Sequence, residues 1–130
     1  MAKIRTDAAD GLTVQAVMHA QLTAMPATAT VAEVRDYFAA STSRRLAFFV
    51  DEAGAYVGSL TPAQVEGADG ARPAADVADR GPTVAPGDAA ATGRDIALRT
   101  DARRVPVVED GRLVGVVAVT GDLQSFCGTG

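Results

Sequence analysis

The chain has 130 residues, of which 48% are hydrophobic and 22% charged, a composition that fits one globular domain or two small units sharing a core. Twelve basic and sixteen acidic side chains give a net charge of −4, which argues against nonspecific nucleic-acid binding. The start of the chain lacks the apolar stretch of a signal peptide, and no segment approaches the roughly 20 apolar residues that span a bilayer. We therefore expect a cytoplasmic protein with neither a nucleic-acid nor a membrane partner.

Two copies of one pattern follow each other along the chain. Residues 13–26 align without a gap with residues 73–86, and both stretches end in proline. A slip of one residue and a shorter hairpin turn then bring the rest of the two copies into register. Self-similarity of this kind predicts a repeated structural unit. The copies span residues 13–66 and 73–126.

Each copy has the pattern of a strand, a helix, two strands and a closing helix. The strands of the first copy are predicted around residues 22–24 and over residues 46–50 and 56–60. Thr30 and Glu33 have the spacing of a capping box, which predicts that the long helix begins there. Thr61 followed by Pro62 predicts the start of the closing helix.

The second copy repeats these elements. Its helix is predicted from about residue 88 to residue 99, and its hairpin strands over residues 105–108 and 113–119. Between the strands, Asp110-Gly111 is the residue pair that favours a tight two-residue turn. We expect a closing helix whose first turn contains Asp122.

Three segments of the repeated pattern stand out, Val17-Met18, Arg104–Val108 and Gly111–Val117. In these segments and in their order, the duplicated unit resembles the cystathionine β-synthase (CBS) domain, which occurs in pairs called Bateman modules. The resemblance covers nearly the whole chain, about residues 13 to 126. It implies an α+β fold in which two βαββα CBS repeats pack about a pseudo-twofold axis into one module.

The resemblance also implies clefts between the repeats that hold AMP, ADP, ATP or S-adenosylmethionine as a regulatory ligand. The family motif Gly-x-x-Thr/Ser-x-x-Asp supplies a hydroxyl for phosphate at a helix start and a carboxylate for the ribose. In the first copy the motif has Thr61, but Gln64 stands where the Asp is expected. In the second copy the hydroxyl is missing at its expected place, and Thr120 and Asp122 come later.

The resemblance implies these ligand-contacting residues: Thr23, Arg45, Ala47, Thr61, Gln64, Thr83, Arg104, Val105, Pro106, Thr120 and Asp122. Other roles stay open for several of them. A helix cap is a sufficient explanation of Thr61, because Pro62 follows it, and Asp122 is likewise explained as an acidic residue in a first helical turn. The pairs Arg44-Arg45 and Arg103-Arg104 stand before a strand in each copy, where they either form solvated ion pairs or bind an anion. Pro106 is expected at a strand edge.

The sequence offers little material for catalysis. His19 is the only histidine and Cys127 the only cysteine, so neither a metal site nor an internal disulfide is expected. A hydrolase needs a nucleophile oriented by a base, and no glycine-rich phosphate loop is present. We expect a protein that is not an enzyme and requires no cofactor.

Two functions fit these observations. The first is a sensor of an adenine-containing ligand that acts on an unknown effector protein, since the chain has no room for an effector domain of its own. The second is a ligand-free dimerisation or interaction scaffold with degraded nucleotide sites. A homodimer is expected, because one thin sheet cannot cover all the apolar residues of the first long helix, Val31, Val34, Tyr37 and Phe38.

Overall fold

The computed structural model describes residues 4–20, 22–42 and 44–127, and the chain divides into two compact units. We call residues Thr23–Gly81 the central unit. Met1–Leu22 and Pro82–Gly130 form the second unit, which we call the terminal unit. The repeat bounds 13–66 and 73–126 remain predictions, because a repeat is defined by sequence and a compact unit by packing.

The central unit contains a three-stranded sheet and three helices. Its elements are β1 (Ala24–Pro26), α2 (Val31–Ala39), β2 (Ala47–Val50), β3 (Tyr56–Leu60), α3 (Pro62–Glu66) and α4 (Ala74–Val77). The first helix of the chain, α1 (Val14–Val17), belongs to the terminal unit. The strand order is β1-β2-β3, with β1 parallel and β3 antiparallel to β2. The predicted order of strand, helix, hairpin and closing helix is therefore confirmed for the first copy.

Capping boxes start both helices of the central unit that begin with a threonine. The Glu33 amide donates to Thr30 Oγ1, and the Thr30 amide donates to the Glu33 carboxylate, both over 3.2 Å. Thr61 and Gln64 make the same reciprocal pair at the start of α3. Each pair satisfies two amide groups that the first helical turn leaves unbonded.

The terminal unit contains a hairpin, two helices and a short 3-10 helix. Its elements are the 3-10 helix (Thr6–Ala8), α1 (Val14–Val17), α5 (Ala90–Leu98), β4 (Arg104–Glu109) and β5 (Arg112–Ala118). Asp110 and Gly111 both have positive φ, 52° and 79°, as the predicted two-residue turn requires. A single parallel bridge, Val84 to Val107, takes the place that β1 has in the central unit.

The closing helix predicted around Asp122 is wrong for the part of the chain that the structure describes. After β5 the chain makes a turn, in which the Leu123 amide donates to the Thr120 carbonyl oxygen. Leu123 has φ 66°, a left-handed conformation that does not continue a helix. The chain then returns, and Phe126 forms a bridge with Val119.

In each unit a short segment pairs with the hairpin of the other predicted repeat. His19 exchanges two backbone hydrogen bonds with Val116, of 2.8 and 3.0 Å. Asp79 exchanges two with Ser59, of 3.0 and 3.1 Å. His19 and Asp79 are 60 residues apart, the offset of the sequence repeat. The units therefore contain the repeated pattern with these segments exchanged, which explains why the unit bounds differ from the repeat bounds.

Two glycines permit this pairing. A Cβ on Gly58 would lie 3.1 Å from the Ala78 Cβ, and one on Gly115 would lie 2.8 Å from the Met18 sulfur and 3.1 Å from the His19 carbonyl oxygen. Real Cβ atoms rarely approach so closely, so a larger residue would push the paired segment away. The glycine of the family motif is thus explained by packing in both copies.

Each unit has its own hydrophobic core. The central core is built from residues of every central element but β1, with Phe49 as its largest fully buried side chain. The terminal core consists mainly of valines and alanines, and its one large aromatic residue is Phe126. Phe126 follows the last strand, and Ala9 in the same core precedes the first predicted repeat. The terminal core therefore depends on both ends of the described chain.

Candidate ligand site

The motif residues of the central unit bind each other. The Gln64 amide donates to Thr61 Oγ1 over 3.3 Å, and the Thr61 amide donates to Gln64 Oε1 over 2.8 Å. The cap interpretation of Thr61 is therefore confirmed. Gln64 also has a structural role, because its side-chain oxygen already accepts a hydrogen bond in the place where a motif carboxylate would face a ribose.

The motif residues of the terminal unit lie in the turn after β5. The Thr120 hydroxyl donates to Asp122 Oδ1 over 2.5 Å, and the Gln124 amide donates to the same oxygen over 3.0 Å. Thr120 Oγ1 also accepts the Ser125 amide over 3.2 Å. These bonds fix the Asp122 carboxylate in an exposed turn, where it sits without the helix that the sequence predicted.

The strand register shows which side chains of the paired strands face the cores and which face the opposite side. Phe48 pairs with Ser59, and Pro106 pairs with Val116, so Phe48 and not Ala47 has the strand position in the central unit that Pro106 has in the terminal unit. Alignment of the two copies by sequence pairs Ala47 with Pro106, which is one residue off, because both Phe48 and Ala47 suit a buried strand. Side chains alternate across a strand, so Phe48 and Pro106 point to the face opposite the two core clusters. Both side chains are nevertheless buried, Phe48 at 6% exposure.

The remaining predicted strand residues are placed as follows. Ala47 and Val105 are 1% and 0% exposed and belong to the two cores, so their side chains cannot contact a ligand. Thr23 is exposed and directly precedes β1, whereas Thr83 is half-buried and directly precedes the Val84 bridge. The structure thus leaves the two threonines accessible at the start of their strands.

The four arginines before the strands have different surroundings. Arg44 lies over the Tyr37 ring, 4.2 Å from its centre, and Nη1 donates to the Tyr37 carbonyl oxygen. Arg104 Nη1 donates to the Ala102 carbonyl oxygen over 2.7 Å. Both side chains therefore hold backbone in their own unit, whereas Arg45 is exposed.

Arg103 differs from these arginines because its Nε is buried without a hydrogen-bond partner. Its Nη2 lies 3.9 Å from the position that a Cβ on Gly121 would occupy, so the guanidinium lies beside the turn that carries Asp122. A buried donor without a partner costs about 1–3 kcal/mol. The paired arginines were the sequence signal for an anion site, but only the structure singles out Arg103.

A groove of about 710 Å³ lies in the central unit, beyond the C-terminal ends of β1 and β2. Its lining residues are Ala24, Pro26, Ala27, Thr28, Val50, Asp51, Glu52 and Ala53. None of the predicted ligand residues lines it, and Thr61 lies at the opposite end of the sheet, beside Ala47.

Among the described residues, no cluster of histidine, cysteine, aspartate and glutamate could hold a metal ion. No helix in the described ranges is long and apolar enough to cross a bilayer.

Comparison with known proteins gives one family match and many similar solved structures. Residues 74–120 match the family model of the CBS domain. None of the curated proteins compared with the chain matches it. Many solved structures are similar, among them the CBS pair domain of a putative Mg²⁺ transporter from Shewanella oneidensis MR-1, with 19% identity and a TM-score of 0.73. That likeness covers 82% of this chain and 64% of that one.

Two further similar structures contain nucleotides. CBSX2 in complex with AMP, a protein of Arabidopsis thaliana, has 20% identity and a TM-score of 0.70, over 83% of this chain and 90% of that one. The cytosolic domain of the Mg²⁺ channel MgtE in complex with ATP has 25% identity and a TM-score of 0.66. That match covers 78% of this chain and 44% of that chain, so this chain corresponds to less than half of the MgtE domain. Residues 74–120 thus match the CBS domain, and the fold of the chain is that of a CBS pair.

Proposed function

We propose that the chain is a non-catalytic regulatory module that binds a phosphate-bearing adenine nucleotide at the turn after β5 and modulates an effector protein. The observation that carries the proposal is the buried, unpartnered Nε of Arg103 beside the turn that holds Asp122. The CBS-pair fold supports it, as do the AMP and ATP in two similar structures.

The two side chains suit different parts of a nucleotide. A phosphate oxygen could accept from the Arg103 guanidinium and relieve the cost of its unpaired donor. The Asp122 carboxylate is an acceptor that suits ribose hydroxyls. Because a cationic guanidinium repels a sulfonium centre, we place AMP, ADP and ATP ahead of S-adenosylmethionine.

A thermal-shift panel with AMP, ADP, ATP, adenosine, S-adenosylmethionine and NADH tests this proposal. A ligand at about 100 times its dissociation constant adds roughly 2.7 kcal/mol of stability. We expect a phosphate-bearing nucleotide to raise the unfolding midpoint, and Arg103→Met to remove most of that rise while leaving a weak adenosine response unchanged. Arg99→Met, which replaces an exposed arginine of the same unit, is the matched control. A flat panel at millimolar concentrations would overturn the proposal.

A ligand-free scaffold is the second candidate, and one observation favours it. Thr61 binds Gln64, and Thr120 binds Asp122, so the polar groups of both motifs already have partners within the protein. Asp122→Ala separates the two functions: it weakens nucleotide binding in a sensor but leaves self-association intact in a scaffold.

We also propose a homodimer that works in the cytoplasm. Val31 and Val34 are fully buried within the central unit, and Tyr37 and Phe38 are half-buried against its core. The first long helix therefore leaves less apolar surface for a second copy than the sequence suggested. Sedimentation velocity at several protein concentrations tests the dimer directly, and a monomer at the highest concentration would overturn it.

A further inference from the structure

Thr6, which lies outside both predicted repeats, binds the turn that carries Asp122. It is the one buried polar or charged residue in the described part of the chain, at 8% exposure. Its hydroxyl donates to the Leu123 carbonyl oxygen over 2.9 Å, and its amide donates to the Gln124 carbonyl oxygen over 2.9 Å. Thr6 therefore holds two successive carbonyl groups of the C-terminal segment.

One peptide unit connects Thr6 to the carboxylate. Its carbonyl group belongs to Leu123 and accepts the Thr6 hydroxyl, and its N–H belongs to Gln124 and donates to Asp122 Oδ1. Hydrogen bonds in such a chain polarise and strengthen one another. The orientation of the Asp122 carboxylate thus depends on the orientation of a peptide that Thr6 holds.

The turn needs an external partner of this kind. Leu123 has φ 66° and is 49% exposed, so it has a left-handed conformation with little packing of its own side chain to stabilise it. A residue other than glycine is strained in this conformation, because its Cβ crowds the following carbonyl oxygen. Strained backbone persists where the surroundings hold it in place.

Other contacts hold the N-terminal segment itself. The Phe126 amide donates to the Ile4 carbonyl oxygen over 2.8 Å, and Arg94 Nη1 donates to the Thr6 carbonyl oxygen over 2.9 Å. The segment of residues 4–8 is therefore bound on one side by the C-terminal segment and on the other by α5.

We propose that Thr6 is a positioning residue for Asp122, and that docking of residues 4–8 is energetically coupled to nucleotide binding at the turn. This inference rests on the proposed function. Coupling between two sites is reciprocal, so the factor by which the docked segment raises nucleotide affinity equals the factor by which the nucleotide favours docking. Residues 4–8 would then report occupancy of the site to an effector protein.

The test compares AMP and ADP binding by calorimetry in the full chain and in Thr6→Val, which keeps the shape of the side chain and removes the hydroxyl. We expect the dissociation constant to rise about three- to tenfold, since one hydrogen bond contributes about 0.5–1.5 kcal/mol. Thr6→Ser restores the hydroxyl and should restore most of the affinity. In the wild-type chain, AMP should slow amide hydrogen exchange in residues 4–8.

Two controls separate positioning from stability. Thr92→Val changes an exposed threonine on α5 of the same unit and should alter neither stability nor affinity. Thr30→Val removes the cap of α2 in the central unit, so it should lower the unfolding midpoint and leave affinity unchanged.

Each outcome of the test has a definite meaning. If the wild-type chain binds AMP and Thr6→Val binds it equally well, the inference is wrong and the proposed function stands. If AMP binds without slowing exchange in residues 4–8, the coupling is likewise wrong. If the wild-type chain binds neither AMP, ADP nor ATP, the proposed function fails, and the coupling fails with it.

Discussion

The central and terminal units share a framework of helix and hairpin but complete it differently. In the central unit the chain runs from β3 into α3, and Arg35 of α2 donates to the carbonyl oxygens of Val65 and Ala68. In the terminal unit the 3-10 helix at the start of the described chain takes this role, and Arg94 of α5 donates to the Thr6 carbonyl oxygen. Arg35 and Arg94 are each the fifth residue of their helix. The arginine at the fifth position of each long helix thus binds the segment that packs against that helix. In the central unit this segment directly follows the hairpin, whereas in the terminal unit it comes from the N-terminal part of the chain.

The largest expected loss of stability comes from removing the side chain by which the C-terminal segment contributes to the terminal core. Phe126 is fully buried in the terminal core and lies after the last strand. Phe126→Ala leaves a cavity, and we expect it to lower the free energy of unfolding by about 3–5 kcal/mol. Urea denaturation measures the loss, and amide exchange in β4 and β5 should quicken more than in β2 and β3.

Leu123→Ala is the matched control, because it shortens an apolar side chain of the same segment that is 49% exposed. We expect a change within about 0.5 kcal/mol. Equal effects of the two substitutions would show that the C-terminal segment does not form part of the core.

The next largest effect concerns the short segment that contains Asp79 and pairs with the hairpin of the central unit. A Cβ on Gly58 would meet the Ala78 Cβ and the backbone at Asp79 and Arg80, at 3.1 to 3.3 Å. Gly58→Ala should therefore lower the free energy of unfolding by about 1–3 kcal/mol, the usual cost of overpacking. Thermal unfolding measures it. Gly67→Ala is the control, since φ there is −86° and a Cβ meets nothing within 4 Å.

Gly115→Ala sharpens the comparison between the units. Its closest neighbour, the Met18 sulfur at 2.8 Å, belongs to a flexible side chain that can move. The His19 carbonyl oxygen at 3.1 Å is backbone, so part of the clash remains. We expect Gly115→Ala to destabilise less than Gly58→Ala, and the reverse order would contradict this explanation.

Much of the fold could be predicted from the sequence where the signal is local. The capping box of Thr30 and Glu33 and the Asp110-Gly111 turn each depend on residues a few positions apart, and both are confirmed. The prediction of a closing helix near Asp122 was wrong, because the backbone there forms hydrogen bonds with residues more than a hundred positions earlier in the chain. Thr6 was missed for the same reason: a threonine in a polar N-terminal stretch carries no local sign that it will be buried.

The candidate site was less predictable than the fold. An alternating apolar strand does not fix its own register, and a shift of one residue moves every side chain to the other face. That shift separates Ala47, a core residue, from Phe48. The family motif led to Thr61 and Gln64, whose mutual hydrogen bonds are visible only in three dimensions. In the sequence Arg103 is one of four similar arginines, and only the structure shows that its Nε is buried without a hydrogen-bond partner.

A smaller effect concerns the two long helices. Thr30 caps α2, whereas α5 begins at Ala89 without a side-chain cap. Thr30→Ala should lower the free energy of unfolding by about 1 kcal/mol. Ala89→Ser should raise it by a similar amount, because the serine hydroxyl can accept a hydrogen bond from a backbone amide of the first turn. Ala89 is exposed, so its site has room for the hydroxyl. Thermal unfolding of both single variants and of the double variant measures the two effects, which should nearly cancel.

The smallest effect appears only at alkaline pH. Tyr56 is 3% exposed, and burial raises the pKa of its hydroxyl above the usual 10.0, although the Ser59 hydroxyl and the Arg80 guanidinium act in the opposite direction. The folded unit thus favours the neutral phenol. The stability that this contributes is fully present below pH 10 and is lost as the pH rises through the folded-state pKa. The hairpin position that matches Tyr56 in the terminal unit is Leu113, which does not titrate.

Tyr56→Phe removes the titrating group and keeps the ring. We expect the free energy of unfolding to be nearly unchanged at pH 7 and to fall less steeply than that of the wild-type chain above pH 10. Ultraviolet titration of Tyr37→Phe reads the remaining ionisation directly, because the chain has only two tyrosines. If Tyr56→Phe and the wild-type chain lose stability in parallel above pH 10, burial of the phenol is not what separates the alkaline behaviour of the central unit from that of the terminal unit.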